Sequence, residues 1–316
     1  MCYIINMQKS IMTLILVFFV FLSCNNGSTD RDIYYYEELP RDAEVENTYV
    51  FLIGLDGWGG YSVSNKSFNM PTVTGLMNDG CYTIKAKNVK PTISLPNWSS
   101  MFMGTSPKKT GYKTNEPSKA DSKIVDMYGI FPSIFTLLTK QRPQCKAAFF
   151  YEWSVNGALC PDGVIDKKQH ISNLSKDVSV VSDYIKSERP NFCAIAIDEP
   201  DGVGHSAGHN TRAYYEELSK LDVLIAQIIQ AIKDAGIWDN SIIMLSADHG
   251  GVNKGHGGNT LSEREIPFII CGNNVKEGVK ISQNVMIYDI APTIAYILKL
   301  ETPSFWEGSL IPCLSH

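Results

Sequence analysis

Apolar positions fall into two rhythms along the chain. Short continuous runs, YVFLIGLD at 49–56, KAAFFY at 146–151, NFCAIAID at 191–198, SIIMLSAD at 241–248 and REIPFIIC at 264–271, read as strands buried on both faces. Between them lie stretches with helical spacing: FPSIFTLLTKQ at 131–141, a helix within about 171–188, TRAYYEELSKLDVLIAQIIQAIKDAG at 211–236 and DIAPTIAYILKL at 289–300. MPTVTGLMNDG reads as a short helix closed by Gly80. PNWSSMFMG reads as a helix start, with Pro96 in a first turn where its missing N–H costs nothing. Strands alternating with helices predict an α/β chain whose mostly parallel sheet is covered on both faces. In such sheets ligands sit beyond the carboxyl ends of the strands.

The pattern is different ahead of residue 47. MQKSIMTLILVFFVFLSC carries Lys9, an apolar run from about Met12 to Leu22, and then Ser23-Cys24. The run is short for a membrane span and reads as a secretory signal. Leu22-Ser23-Cys24 resembles the lipobox of bacterial lipoproteins, which implies residues 1–23 as a signal peptide and a lipidated Cys24. The expected location is the bacterial cell envelope, anchored to a membrane and facing the periplasm or the exterior. Residues 24–46, polar and acidic with a tyrosine triplet, are expected to form a flexible tether, and 47–316 a single catalytic domain.

Composition changes this picture little. Hydrophobic content of 44% and charged content of 19% are ordinary for a globular chain. A net charge of −5 gives no electrostatic reason to expect nucleic acid duplexes as partners. The eight cysteines form no CxxC pair, which argues against a thiolate zinc cluster. Cys193 and Cys271 lie in apolar runs and read as core thiols, whereas a Cys145–Cys160 disulfide suits an extracytoplasmic protein. Oligomeric state is not legible.

The chemistry collects at the strand ends. Asp56 ends the first run, Asp201 and His205 follow the run NFCAIAID at 191–198, and Asp248, His249 and His256 follow SIIMLSA. Half of the six histidines thus reach one predicted edge beside aspartates and glycines. Singly, each such residue is more often a turn former, a cap or a solvated loop side chain. Together, six carboxylate and imidazole donors suit Zn²⁺ or a similar divalent ion, and they divide naturally into two sites of three, each with an open position. Asp201 and His205 also allow a local capping role ahead of the helix at Thr211. Ser94 stands just before a predicted helix start, where the helix field favours negative charge on its hydroxyl. A plain capping role, and Ser99 or Ser100, compete with it. Asn97 offers an N–H donor to an anionic oxygen.

The segments FLIGLDGWG, PTISLPNW, EPDGVGH, SADHGG, GHGGNTLSEREIPFIICG and DIAPTIAYIL resemble, in order, the alkaline phosphatase superfamily, and most closely its nucleotide pyrophosphatase/phosphodiesterase branch. The likeness runs from about Tyr49 to Leu310. It implies a three-layer sandwich with an alkaline phosphatase-like core and two zinc ions, with Mn²⁺ as another ion suited to the same donors. One ion would be held by Asp201, His205 and His256, the other by Asp56, Asp248 and His249. Ser94 would be the nucleophile of a phosphodiesterase, through a phosphoserine intermediate, and Asn97 would bind a phosphoryl oxygen. Thr110-Gly111 stands where the branch commonly has His-Gly. His209 falls where it often has proline, and a solvated, supporting or substrate-contacting role is open for it.

Rival functions share parts of this pattern. Asn97 and Trp98 stand where a sulfatase signature needs a small residue and arginine, which argues against a sulfatase. A phosphomonoesterase or phosphonate hydrolase would use the same core, but no arginine lies between Arg41 and Arg142, which favours diesters. A zinc-binding surface lipoprotein without turnover would have no use for Ser94. The substrate is expected to be a small-molecule, lipid or glycan phosphate ester.

Overall fold

A strand with no polar face has to be covered on both sides, and the apolar runs are placed accordingly. The computed structural model describes residues 31–315. The expected signal peptide and Cys24 lie outside the described residues. In chain order the strands are β1 (Asp32–Ile33), β2 (Tyr49–Leu55), β3 (Gly80–Lys87), β4 (Ile124–Val125), β5 (Ala147–Tyr151), β6 (Lys167–His170), β7 (Phe192–Ile197), β8 (Ser241–Ala247), β9 (Glu265–Gly272) and β10 (Val279–Lys280). The α-helices are α1 (Ala43–Glu46), α2 (Pro71–Asn78), α3 (Ser94–Met103), α4 (Pro107–Thr110), α5 (Ile134–Gln141), α6 (Leu174–Glu188), α7 (Asp201–Ala207), α8 (Arg212–Asp234), α9 (Leu261–Arg264) and α10 (Ile290–Ile297).

Eight strands form one sheet in the order β10-β3-β9-β8-β2-β7-β5-β6. Within it β9 runs antiparallel to both β3 and β8, and the remaining pairs are parallel. Helices α2, α6 and α7 pack on α8, while α3, α5 and α10 pack on one another, giving a three-layer α/β/α sandwich. β2 lies between β7 and β8 with Leu55 level with both Ile197 and Ala247. That register makes the chain leave all three strands at one height, so Asp56, Asp248 and the 198–201 turn emerge side by side.

Three parts of the fold differ from the sequence reading. Gly80 does not end a helix; α2 stops at Asn78 and Gly80 opens β3, whose mixed burial gives no continuous apolar run. The strand's register against β9 shifts between Thr83 and Ala86, opposite Pro267, which has no N–H to give the ladder. The second difference is the tether. Its described part, residues 31–46, is docked: β1 pairs with β4, Tyr36 donates to Asp126 Oδ2 at 2.8 Å, and Val45 is buried. Tyr34 packs edge-on against Tyr36 and Phe305, so two tyrosines of the triplet serve as a clasp while Tyr35 stays exposed. Third, Cys145 and Cys160 are both free and buried, so the disulfide that the sequence left open between them is not formed. Burial pushes their thiols up to about 11 and about 12. Cys193 and Cys271 are buried thiols as expected.

One close approach ties the sheet to α3. The Trp98 ring of α3 lies on β2 at Gly54, where an added Cβ would stand 2.3 Å from Trp98 Cη2. From there Trp98 Nε1 donates to Asp56 Oδ2 at 3.2 Å. Gly54→Val is therefore expected to displace the indole and lower unfolding stability by about 1–3 kcal/mol. Urea denaturation checks this, and an unchanged midpoint would show that Trp98 has no fixed seat on the strand.

Candidate metal centre

The strand ends deliver their side chains to one place. Asp56 follows β2 and Asp248 follows β8, while Asp201 begins α7 and His205 lies one turn later on the same helix. The capping alternative for that pair fails, because the N-cap of α8 is Thr211, whose own hydroxyl accepts from Tyr214 N. The loop after β8 carries His249 and His256. The six residues gather as two groups, Asp201–His205–His256 and Asp56–Asp248–His249, with the donor atoms of each within 4.8 Å of one another. This is the division expected from the sequence. His249 and His256 stack at 3.8 Å between centroids, so the two groups meet there.

Backbone carbonyls fix the protonation of the rings. His249 Nδ1 lies 3.0 Å from Gly250 O, His205 Nδ1 3.0 Å from Lys254 O, and His256 Nδ1 2.9 Å from Thr92 O. A carbonyl can only accept, so each Nδ1 carries a proton, and in the neutral ring Nε2 is the nitrogen left with a lone pair. His205 Nε2 and His256 Nε2 face each other at 3.2 Å, and Asp201 Oδ2 lies 3.0 Å from the first and 3.7 Å from the second. His249 Nε2 lies 3.4 Å from Asp56 Oδ1 and 3.3 Å from Asp248 Oδ2. Lone pairs aimed at one another repel unless a cation stands among them.

The carboxylates make the same demand. Asp56 Oδ1, Asp248 Oδ2 and Asp201 Oδ1 are buried without a hydrogen-bond partner. Among the described residues these aspartates form ion pairs with histidines and with no lysine or arginine. Burial, reinforced by the charge of Asp248 and Asp201, pushes the Asp56 pKa well above the usual carboxylate range. Burial likewise raises Asp248, although the N–H groups of Gly57 and His249 oppose it. His249 is pushed down to about 3, chiefly by burial, which keeps it in the neutral, ligating form. Buried oxygens without partners, beside neutral imidazoles with inward lone pairs, fit a divalent cation in each group.

Ser94 stands at the seam. It is the first residue of the ten-residue helix α3, and its Oγ lies 3.2 Å from His249 Nε2. Its hydroxyl does not cap the helix, whose N-cap is Ile93. Ser99 and Ser100 turn away, both donating to Pro96 O.

Asn97 is a correction. Its Nδ2 donates to Pro91 O and Ile93 O, and its Oδ1 accepts from Val89 N, all within a fully buried setting. Both amide hydrogens are used to brace the 89–93 loop, so none is left for a phosphoryl oxygen. Asn115, which the sequence reading passed over, is better placed. It is exposed, its Oδ1 accepts from Leu95 N at 3.0 Å beside Ser94, and its Nδ2 is uncommitted among the described residues. Twenty residues separate it from Leu95, and no spacing rule joins them. Thr92 and Glu263 were also unread. Thr92 Oγ1 accepts from Gly257 N and donates to Gly258 O, while Glu263 accepts from Gly258 N and Thr260, and together they clamp the loop that carries His256.

The chain is similar to known proteins. Mouse ectonucleotide pyrophosphatase/phosphodiesterase family member 1 is 25% identical over 225 residues, which is 66% of this chain and 24% of that protein. Human bis(5'-adenosyl)-triphosphatase ENPP4 is 23% identical over 217 residues, 64% of this chain and 47% of that protein. The chain thus spans between a quarter and about half of these relatives' length. Murine ectonucleotide pyrophosphatase/phosphodiesterase 5 shares the fold with a TM-score of 0.69 at 15% identity, covering 85% of this chain and 100% of the other. A phosphonate monoester hydrolase from Silicibacter pomeroyi shares it at 0.65 and 13% identity, over 84% and 76%. Residues 50–256, more than half of the chain and inclusive of Ser94 and all six donors, match the type I phosphodiesterase / nucleotide pyrophosphatase family. The chain belongs to that family, within the alkaline phosphatase superfamily.

Proposed function

We propose that the chain is a phosphoric ester hydrolase of phosphodiesterase type that uses Ser94 as nucleophile and two zinc ions. The observation that carries this reading is the Ser94 hydroxyl at a helix N-terminus, 3.2 Å from His249 Nε2, where two carboxylate–imidazole sets meet. Asp201, His205 and His256 would hold one ion and Asp56, Asp248 and His249 the other. Bound zinc supplies Lewis-acid charge that lowers the pKa of the serine hydroxyl and offsets charge on the phosphoryl and leaving oxygens. Ser94 Oγ forms a bond to phosphorus while the opposite P–O bond breaks, and the departing alkoxide takes up a proton. Water then cleaves the Oγ–P bond of the phosphoserine and restores the hydroxyl.

The residues around Ser94 prepare both steps. The N-terminus of α3 favours negative charge on Oγ and on the phosphoryl group. Asn115, held by Leu95 N, offers Nδ2 to a non-bridging oxygen in the role first expected of Asn97. No lysine or arginine pairs with the site aspartates among the described residues, which suits a singly charged diester better than a doubly charged monoester. Relatives named for nucleotide pyrophosphate and diester cleavage make nucleotide diesters the first substrates to try.

Purified chain with zinc should hydrolyse bis-p-nitrophenyl phosphate faster than p-nitrophenyl phosphate and hold two ions by elemental analysis. Ser94→Ala should lose at least ~10³-fold in kcat and keep both ions. One bound ion at saturating zinc, or a monoester preference, would sink the corresponding part of the proposal. Asn115→Ala should lower kcat by about 10²-fold at unchanged Tm, whereas Asn97→Ala should lower Tm through its lost loop hydrogen bonds. The reverse pattern would return the anion-binding role to Asn97. We also propose attachment to the cell envelope through Cys24. Cys24→Ser should then move the chain from the membrane fraction to the soluble fraction and abolish incorporation of labelled fatty acid.

A further inference from the structure

His209 lies outside both donor sets, and its surroundings are unusual for a histidine. It follows α7, and its side chain has no exposed surface. Neither ring nitrogen has a hydrogen-bond partner. A solvated ring and a substrate contact, both open on sequence, are therefore excluded. Burying an imidazole without partners costs free energy that an apolar side chain of similar volume would not.

The chain nevertheless clears space for it. A Cβ on Gly204 would stand 2.4 Å from the His209 ring, and one on Gly251 would stand 2.3 Å from it. These glycines belong to α7 and to the loop between His249 and His256. His209 N donates to Asn253 O at 2.6 Å, which pins the residue against that same loop. The ring is thus wedged between the helix bearing Asp201 and His205 and the loop bearing His256.

One polar atom lies within reach. His209 Nε2 is 3.5 Å from Asp201 Oδ1, at the outer edge of a hydrogen bond, and that oxygen has no other partner. The other oxygen, Oδ2, is the one that faces His205 Nε2 and His256 Nε2. We infer that His209 is a positioning residue whose Nε2–H donates to Asp201 Oδ1 and fixes the carboxylate with Oδ2 toward the ion. The inference rests on reading Asp201, His205 and His256 as metal ligands. Hydrogen bonds to the far side of a ligating carboxylate hold its orientation, and their loss typically weakens metal binding by about 10–100-fold. His209 touches neither substrate nor ion in this scheme.

The test is zinc affinity, measured by chelator competition on the full chain freed of metal, alongside Tm of the metal-free form. His209→Phe keeps a ring and removes the donor, whereas His209→Gln keeps a donor. The wild type should bind two ions, His209→Phe should weaken one site by about 10–100-fold and spare the other, and His209→Gln should recover most of that loss. His209→Phe with wild-type affinity at both sites overturns the inference and leaves the metal reading intact. Equal weakening in both variants, tracking a fall in metal-free Tm, also overturns it, because packing alone then explains the residue. A wild-type chain that binds fewer than two ions overturns the metal reading and this inference together.

Discussion

Everything at the carboxyl edge of this sheet depends on one unbalanced charge. Asp56, Asp201 and Asp248 are all buried, and among the described residues no lysine or arginine pairs with them. Uncompensated buried carboxylates are expensive, and a fold retains them where a cation makes up the balance. Neutral histidines do not make it up, because with Nδ1–H given to a carbonyl each turns its Nε2 lone pair inward. The protein has therefore arranged donors only, and the positive charge has to come from bound ions.

That demand explains how the surrounding chain is braced. The level exit of β2, β7 and β8 brings the aspartates together, but it does not set the direction of a side chain. Direction comes from the groups behind: Trp98 on Asp56, Gly57 N and His249 N on Asp248, and Thr92 and Glu263 around the His256 loop. Tyr214, on the long helix α8, accepts from Gly59 N and donates to Gly57 O, so the turn after Asp56 is tied to the layer that also packs against α7. Ser94 inherits this rigidity because the loop before it is pinned by Asn97 and by the grip of Thr92 on the 256–258 segment.

The sheet and the six donors were legible in the sequence for a physical reason. Strands buried on both faces read as continuous apolar runs, and residues at their carboxyl ends converge in any parallel sheet. β3 was illegible because its half-buried and exposed positions, among them Lys85, interrupt the apolar signal. Asn97 looked like an anion donor because its distance from Ser94 in sequence is right for one helical turn. What its amide does is decided by the carbonyls of Pro91 and Ile93, which only the folded loop brings to it. Asn115 failed to stand out for the mirror-image reason, since nothing local marks it. The 31–46 segment looked like a tether on composition, yet two tyrosines and Val45 suffice to dock it, because docking depends on a few well-placed contacts and composition averages over them.

The two donor sets are chemically alike but differ in exposure, and the difference bears on how the proposed reaction is divided between them. Asp56, Asp248 and His249 have side chains no more than 3% exposed, and this is the set that Ser94 touches. His205, in the other set, is 50% exposed, with Asp201 and His256 at 12% and 10%. A nucleophile gains most from a dry setting, where its charge is stabilised by fixed groups and competing water is kept out. A leaving group and the water that later replaces it must pass to and from solvent. The exposure gradient therefore assigns the buried set to Ser94 and the open set to exchange with solvent. The glycine-rich stretch between His249 and His256 spans that gradient, with one ligand at its dry end and the next at its wet end. Its glycines admit the close backbone and ring approaches that let six residues of chain cross it.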